Sequence, residues 1–589
     1  NDSTDFYDGN NWNASGNFPN GAVYFNDSYL TGNAYTNVDR SSNTYTYINA
    51  LYFQNTSSAQ NSYTINGTSR IFLGGATLQT SNVTSGSLTD VINADFQQAG
   101  SAEVFTIGTN HHLTMNGDII GNANTITKSG AGTLTLTGNR TNNANGAWLL
   151  NGGTMRVKNG GAITSVGGVT TSGAVKLWLD AAGGNMTVAG PLTMSGGGTG
   201  HLQVSGNVTT TGLITVTGSP DVRTSGASKL IIEGGITSAN NSGMAFNQAT
   251  IINSTVSIGT GELNFTSTES QINVAGGDWG WTRLNFNGNL KLGVDNALPS
   301  DLQIALGWHN AGSSTATLNL NGTNQTIKSI GASANLGGYG NWSGQNQNIT
   351  GGGSLTINQT ANVAHAYGGR ITDGATATSI IKNGAANFAI QNYSNSDSTY
   401  SGATTINAGT LTAYSGVSSS LSANSAYTVA SGATLAITNN TETIGSLAGA
   451  GTVTNNHSNA SYLTVGADNT STTFSGVIQD GAGGGAMHIT KNGSGEFTLS
   501  GTNTYTGATT VNAGTLAVSG NISSSALTLN SGAIISPGTS AAADSFGTSS
   551  ITINGGGYNW TLSTANGTAG SGYDQITSAG ALTSSGQLT

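Results

Sequence analysis

Cleavage of a glycosidic bond needs two carboxylates about 5 to 9.5 Å apart, and the acidic residues of this sequence are spaced against that. Asp180, Glu233, Glu262, Asp278, Asp295 and Asp301 stand singly. Asp295 and Asp301 are the closest in that stretch, and they flank the segment DNALPSD, where an aspartate side chain caps backbone amides of a turn. His201 stands in Gly-His-Leu and reads as a surface imidazole. His111 and His112 are adjacent on an alternating segment, so their rings leave opposite faces and do not share one metal. The chain has no cysteine, which removes thiolate ligands and disulfides. Its Gly-Gly turns lack the aspartate of calcium-binding nonapeptides. Gly351-Gly352-Gly353 lacks the Lys-Ser/Thr that completes a phosphate loop. These residues predict no catalytic constellation, no metal, no cofactor and no enzyme.

Aromatic residues offer a different chemistry. Trp279, Trp281, Trp308 and Trp342 are four of the eight tryptophans and fall within 64 residues. Trp279 and Trp281, two apart, share one face of a strand. Turned outward, such rings form a platform for a sugar or a partner; turned inward, they pack. A second concentration lies at the start, where Phe6, Tyr7, Trp12, Phe18, Tyr24 and Phe25 belong to 12 aromatics in the first 53 residues. Two readings are open there: a cap over the end of a repeat stack, or an exposed binding or assembly surface.

The elements that would position these residues are strands. The chain has 589 residues, 89 of them glycine, with 5 prolines, 36% hydrophobic residues and a formal charge of −10. Glycine lacks the collagen period, and the hydrophobic content is too high for charge-driven disorder. Fifteen basic residues make no phosphate-binding patch, which argues against nucleic acid. No apolar stretch is long enough for a membrane-spanning helix. Segments such as Thr133–Thr137, Ala316–Asn321 and Glu496–Ser500 alternate apolar with small polar residues, the pattern of a half-buried strand. They end at Asn-Gly or Gly-Gly turns, for example Asn116-Gly117, Asn151-Gly152-Gly153 and Asn321-Gly322.

Internal repeats choose among the all-β architectures. Three segments align: ITKSGAGTLTLTG from Ile126, IIKNGAANFAIQN from Ile380 and ITKNGSGEFTLSG from Ile489. Each carries a Lys-(Ser/Asn)-Gly turn at Lys128, Lys382 or Lys491. Each then carries two glycines seven apart: Gly146 and Gly153, Gly402 and Gly409, Gly507 and Gly514. Variable loops between fixed strand registers are what a stacked coil tolerates, because each turn touches only its neighbours. The chain therefore reads as all-β, a single-stranded right-handed parallel β-helix (β-solenoid) with about 20 to 25 residues per turn. Residues 1–60 form the aromatic-rich cap or interface region. Residues 61–589 form the continuous solenoid, with repeats near 126–157, 380–413 and 489–518. Asn and Thr at its turns are expected to form rung-to-rung ladders.

The stretch 443–518, with IGSLAGAGTV, LTVGADNTSTTFSGVI and ITKNGSGEFTLSGTNTYTGATTVNAGTLAV in that order, resembles autotransporter passenger sequences and autotransporter-associated β-strand repeat proteins of Gram-negative bacteria. Residues 290–357 are similar, through LKLGVDNALPSDLQIALG and TLNLNGTNQTIKSIGA, as are the opening NNWNASGNFPNGAVYF and the tail IISPGTS and SGYDQITSAGAL. The resemblance implies a secreted or surface-displayed passenger, extracellular or on the cell surface of a Gram-negative bacterium. A structural or adhesive role follows, and the family carries no catalytic residues to transfer. Its arrangement would put a leader before Asn1 and a membrane barrel after Thr589. Alternatives are an extracellular filament subunit, self-associating end to end or side by side, and a glycan-binding or glycan-active β-helix that takes host or cell-surface glycans.

Overall fold

Period-two patterning with glycine-closed turns gives short strands, and in the computed structural model those strands stack in parallel. The structure describes residues 22–26, 34–37, 46–54, 62–67, 70–98, 102–120, 124–138, 146–158, 168–195, 197–238, 244–247, 249–258, 263–265, 269–276, 283–286, 288–306, 316–330, 347–361, 366–392, 394, 396–414, 419–538, 543–564 and 566–584. Among them there is no helix, and the strand ladders are parallel, one turn upon the next. The expected all-β solenoid is the observed fold. The chain divides into two compact units, Asn1–Trp281 and Thr282–Thr589.

In the first unit one inward column runs Ile126, Trp148, Val169, Leu192, Ile214, Ile236 and Val256, each in register with the next. All seven are buried. Between them and facing out runs Thr127, Leu149, Thr170, Thr193, Thr215, Thr237 and Ser257. Apolar side chains thus stack on apolar ones, and each buried aliphatic residue contributes about 1.5–3 kcal/mol. The strand Ala22–Asn26 sets Tyr24 and Phe25 in register with Tyr52 and Phe53 of the next turn. Phe6, Tyr7, Trp12 and Phe18 lie outside the described residues.

The second unit repeats this logic. Its inward column Ile444, Val465, Lys491, Val511, Leu529 and Ile553 is apolar except at one lysine. The outward column beside it is threonine at every turn: Thr443, Thr464, Thr490, Thr510, Thr528 and Thr552. Turn length is uneven. Paired residues are 18 apart at Thr509 and Leu527 and 31 apart at Ile551 and Leu582, a wider range than expected, because loops leave the stack between fixed registers.

Asparagines at turn corners form the expected ladders. Asn512 donates its amide to Asn492 at 2.8 Å, Asn530 to Asn512 at 2.7 Å and Asn554 to Asn530 at 3.2 Å. In the first unit Asn93 donates to Asn66 and Asn116 to Asn93. One turn glycine has a different reason from the expected one. Gly117 does not adopt positive φ; a Cβ there would lie 2.1 Å from the Ala94 carbonyl of the preceding turn, so close approach of two backbones selects glycine.

Candidate functional site

The residues proposed for recognition, Trp279, Trp281, Trp308 and Trp342, all lie outside the described residues, so the sugar platform and the packing alternative have no geometry here. Of the candidate carboxylates, Glu262 and Asp278 lie outside the described residues, and Asp295 and Asp180 have partners within the chain. Asp295 accepts the Asn324 amide N–H of the next turn at 2.8 Å, a bond between turns rather than the cap within its own turn that the sequence suggests. Asp180 is paired with Arg156, whose guanidinium lies 3.9 Å over the Trp178 ring centre. Register explains this trio, since Arg156 pairs with Trp178 and Lys158 with Asp180 on adjacent strands.

His111 and His112 do leave opposite faces. His112 is half-buried, whereas His111 is fully buried against Asp90. His111 Nε2 is 2.7 Å from Asp90 Oδ2, and Nδ1 is 3.1 Å from the Ser81 carbonyl. Asp90 Oδ1 accepts the Tyr63 amide at 2.8 Å. The pair ties three successive turns, and nothing in the sequence reading anticipated it. Two buried glutamates were missed as well. Glu442 accepts the Ser420 and Leu421 amides, both at 3.0 Å, and the Asn440 side chain. Burial pushes its carboxyl up to about 7, against the pull of the Leu421 and Ser420 amides. Burial also pushes Glu103 up to about 7, opposed by a hydrogen bond with Gln98; one Glu103 carboxyl oxygen has no partner.

The repeat residues converge on two recurring arrangements. In the first, the Lys of each Lys-(Ser/Asn)-Gly turn points inward and is buried. Lys128 Nζ donates to the carbonyls of Gly130, Gly132 and Gly152 at 2.7, 2.7 and 2.8 Å. Lys382 Nζ donates to Asn383, Gly384 and Ala408 at 2.7, 2.7 and 3.1 Å. Lys491 Nζ donates to Asn492, Gly493 and Ala513 at 2.7, 2.8 and 3.3 Å. Burial lowers Lys128 to about 7, lowers Lys382 to about 8 and also lowers Lys491; the carbonyls oppose it by binding the charged form.

In the second arrangement a buried tyrosine ends a chain of hydroxyls. Tyr505 bonds Thr509 at 2.7 Å, Thr509 bonds Ser525 at 2.7 Å, and Ser525 donates to the Gly507 carbonyl at 2.7 Å. Tyr400, Thr404, Ser425 and the Gly402 carbonyl repeat it at 2.8, 2.9 and 2.7 Å. Each hydroxyl has one proton, so the terminal carbonyl fixes the direction of donation, from Tyr to Thr to Ser. Tyr427 then donates to Tyr400 at 2.6 Å. The glycines at the end, Gly402 and Gly507, are the first of the seven-spaced pairs.

Among the described residues no group of three His, Asp or Glu could hold a metal, and no helix is long and apolar enough to cross a membrane. The three repeat lysines spend their donors on backbone carbonyls, and Glu442 takes two backbone amides. The geometry thus defines a parallel β-solenoid whose repeats are closed from within. Three segments, 126–157, 380–413 and 489–518, match the family model of the passenger-associated-transport-repeat, and there the chain is similar to autotransporter passenger repeat proteins. Each matched segment contains one lysine cage. Neither the curated proteins nor the solved structures give a significant match.

Proposed function

We propose that the chain is a secreted or surface-displayed β-solenoid of a Gram-negative bacterium, non-enzymatic, with a structural and adhesive role. One observation carries the adhesive reading. The hydroxyls of Thr443, Thr464, Thr490, Thr510, Thr528 and Thr552 form an outward row at about 4.8 Å spacing, and among the described residues none of them is engaged within the chain. A neutral row of unused donors and acceptors suits host or cell-surface glycans better than charged partners. Purified protein on a glycan array is expected to bind, and Thr490→Val with Thr510→Val and Thr528→Val to weaken binding without loss of fold. Polysaccharide hydrolysis or elimination by the intact chain, lost on Asp295→Asn, would overturn the non-enzymatic reading.

Self-association, end to end or side by side, has its own observation. Trp560, Leu562 and Leu582 are 57%, 52% and 66% exposed, large apolar groups of the kind that mark contact sites. Sedimentation at rising concentration is expected to show oligomers that Trp560→Ser with Leu582→Ser abolishes. A sharp monomer at all concentrations would remove this reading.

A further inference from the structure

The three repeat lysines stand where the alternation demands an apolar residue. Lys128 lies between Phe105 and Leu150, Lys382 between Ile357 and Ile406, and Lys491 between Val465 and Val511. No carboxylate balances them: among the described residues the ion pairs are His111–Asp90, Arg156–Asp180 and Arg223–Asp221. Each ammonium instead meets three carbonyl oxygens, one for each N–H. Neutral oxygen dipoles closing around a desolvated monovalent charge are how a protein binds a small cation.

We infer that each passenger-type repeat contains a monovalent-cation site that the chain fills with its own lysine ammonium, latching one turn of the solenoid to the next. The latch spans turns because its third carbonyl comes from the following one: Gly152, Ala408 and Ala513 lie 24, 26 and 22 residues beyond their lysines. The residue after that carbonyl is always the second glycine of the seven-spaced pair. Gly153, Gly409 and Gly514 have φ of 61°, 67° and 65°. Positive φ there turns the preceding peptide plane so that its oxygen faces Nζ, and it is a conformation other residues adopt at a cost. Lysine, turn glycine and distant glycine are therefore one device. An arginine would not replace it, since five donors in a planar fork do not match three converging oxygens.

This inference rests on the solenoid reading but not on adhesion, and its test reads backbone protection rather than binding to any surface. In the full chain, Lys491→Met keeps the apolar stem and removes the charge. Amide exchange followed by mass spectrometry is expected to accelerate about tenfold or more at residues 492–495 and 513–515, with residues 383–386 unchanged. Lys491→Ala opens the cage, and methylammonium chloride is expected to restore protection there where tetramethylammonium chloride at equal ionic strength does not. Unchanged exchange in Lys491→Met would reduce the lysine to filler and overturn the proposal. So would a Lys491→Ala chain that methylammonium leaves unprotected. If both variants fail to fold, reductive methylation of the native chain decides: Lys128, Lys382 and Lys491 are expected to stay unmodified while Lys176 and Lys291 react, and labelling at equal rates would sink the latch.

Discussion

A charge or polar group in an apolar column is costly unless every donor and acceptor is used, and the buried residues here divide by how well they meet that condition. His111 and Asp90 are fully paired, so removing one partner strands the other. Asp90→Ala is expected to cost about 3–5 kcal/mol in chemical denaturation of the first unit. Tyr505→Phe removes the head of a hydroxyl chain whose remaining members stay bonded, and a smaller loss of about 1 kcal/mol is expected. Glu103, one of whose carboxyl oxygens has no partner, meets it least well, whereas Glu442 is bonded through both oxygens but deeply buried; burial holds both carboxyls near 7 instead of the ordinary 4.5. Between those values the folded state holds more protons than the unfolded one, so stability present below pH 4.5 is lost as pH rises to about 7. Denaturation midpoints at pH 5 and 7.5 are expected to differ in that direction, and Glu442→Gln to narrow the difference.

Strands and turns depend on how near successive turns lie. A Cβ at Gly507 would meet the Met487 carbonyl at 2.2 Å, whereas at Gly532, with φ of 81°, it would meet nothing within 4 Å. Gly532→Ala is expected to cost only the left-handed conformation, about 1–2 kcal/mol. Gly507→Ala must push neighbouring turns of the stack apart and is expected to lower the melting temperature further; equal losses would deny the close approach. Asn530 sits in the middle of its ladder, donating to one asparagine and accepting from another. Asn530→Ala therefore breaks two bonds, at about 0.5–1.5 kcal/mol each.

Each unit behaves as a series of nearest-neighbour contacts, because its described strands pair with those of the turn before and the turn after. Energy in such a stack is close to a sum of turn and interface terms. Leu529 is buried between Val511 and Ile553, and Leu529→Ala is expected to cost about 2–5 kcal/mol. Its effect on amide protection should be large in strands Thr509–Val511 and Ser545–Asn554 and fade before Thr434–Thr438. Uniform loss across the second unit would show a cooperative block instead.

The sequence by itself determined the all-β solenoid, since alternation, glycine turns and a repeat with variable loops are local properties that survive in one dimension. It also determined the asparagine ladders, because equal residues at equal turn positions must meet. The lysine cages were only half legible. Lys128 follows Ile126 by two, as Lys382 follows Ile380 and Lys491 follows Ile489, so period two alone sends all three lysines inward with the isoleucines. Only the tertiary structure decided what awaits them there, because the third carbonyl of each cage comes from the next turn. It likewise decided the His111–Asp90 pair and the Glu442 clamp, whose partners are about 20 residues apart and are brought together by turn lengths that vary from 18 to 31. Register across a stack is set by how much chain each loop absorbs, and that length follows from packing rather than from any local pattern.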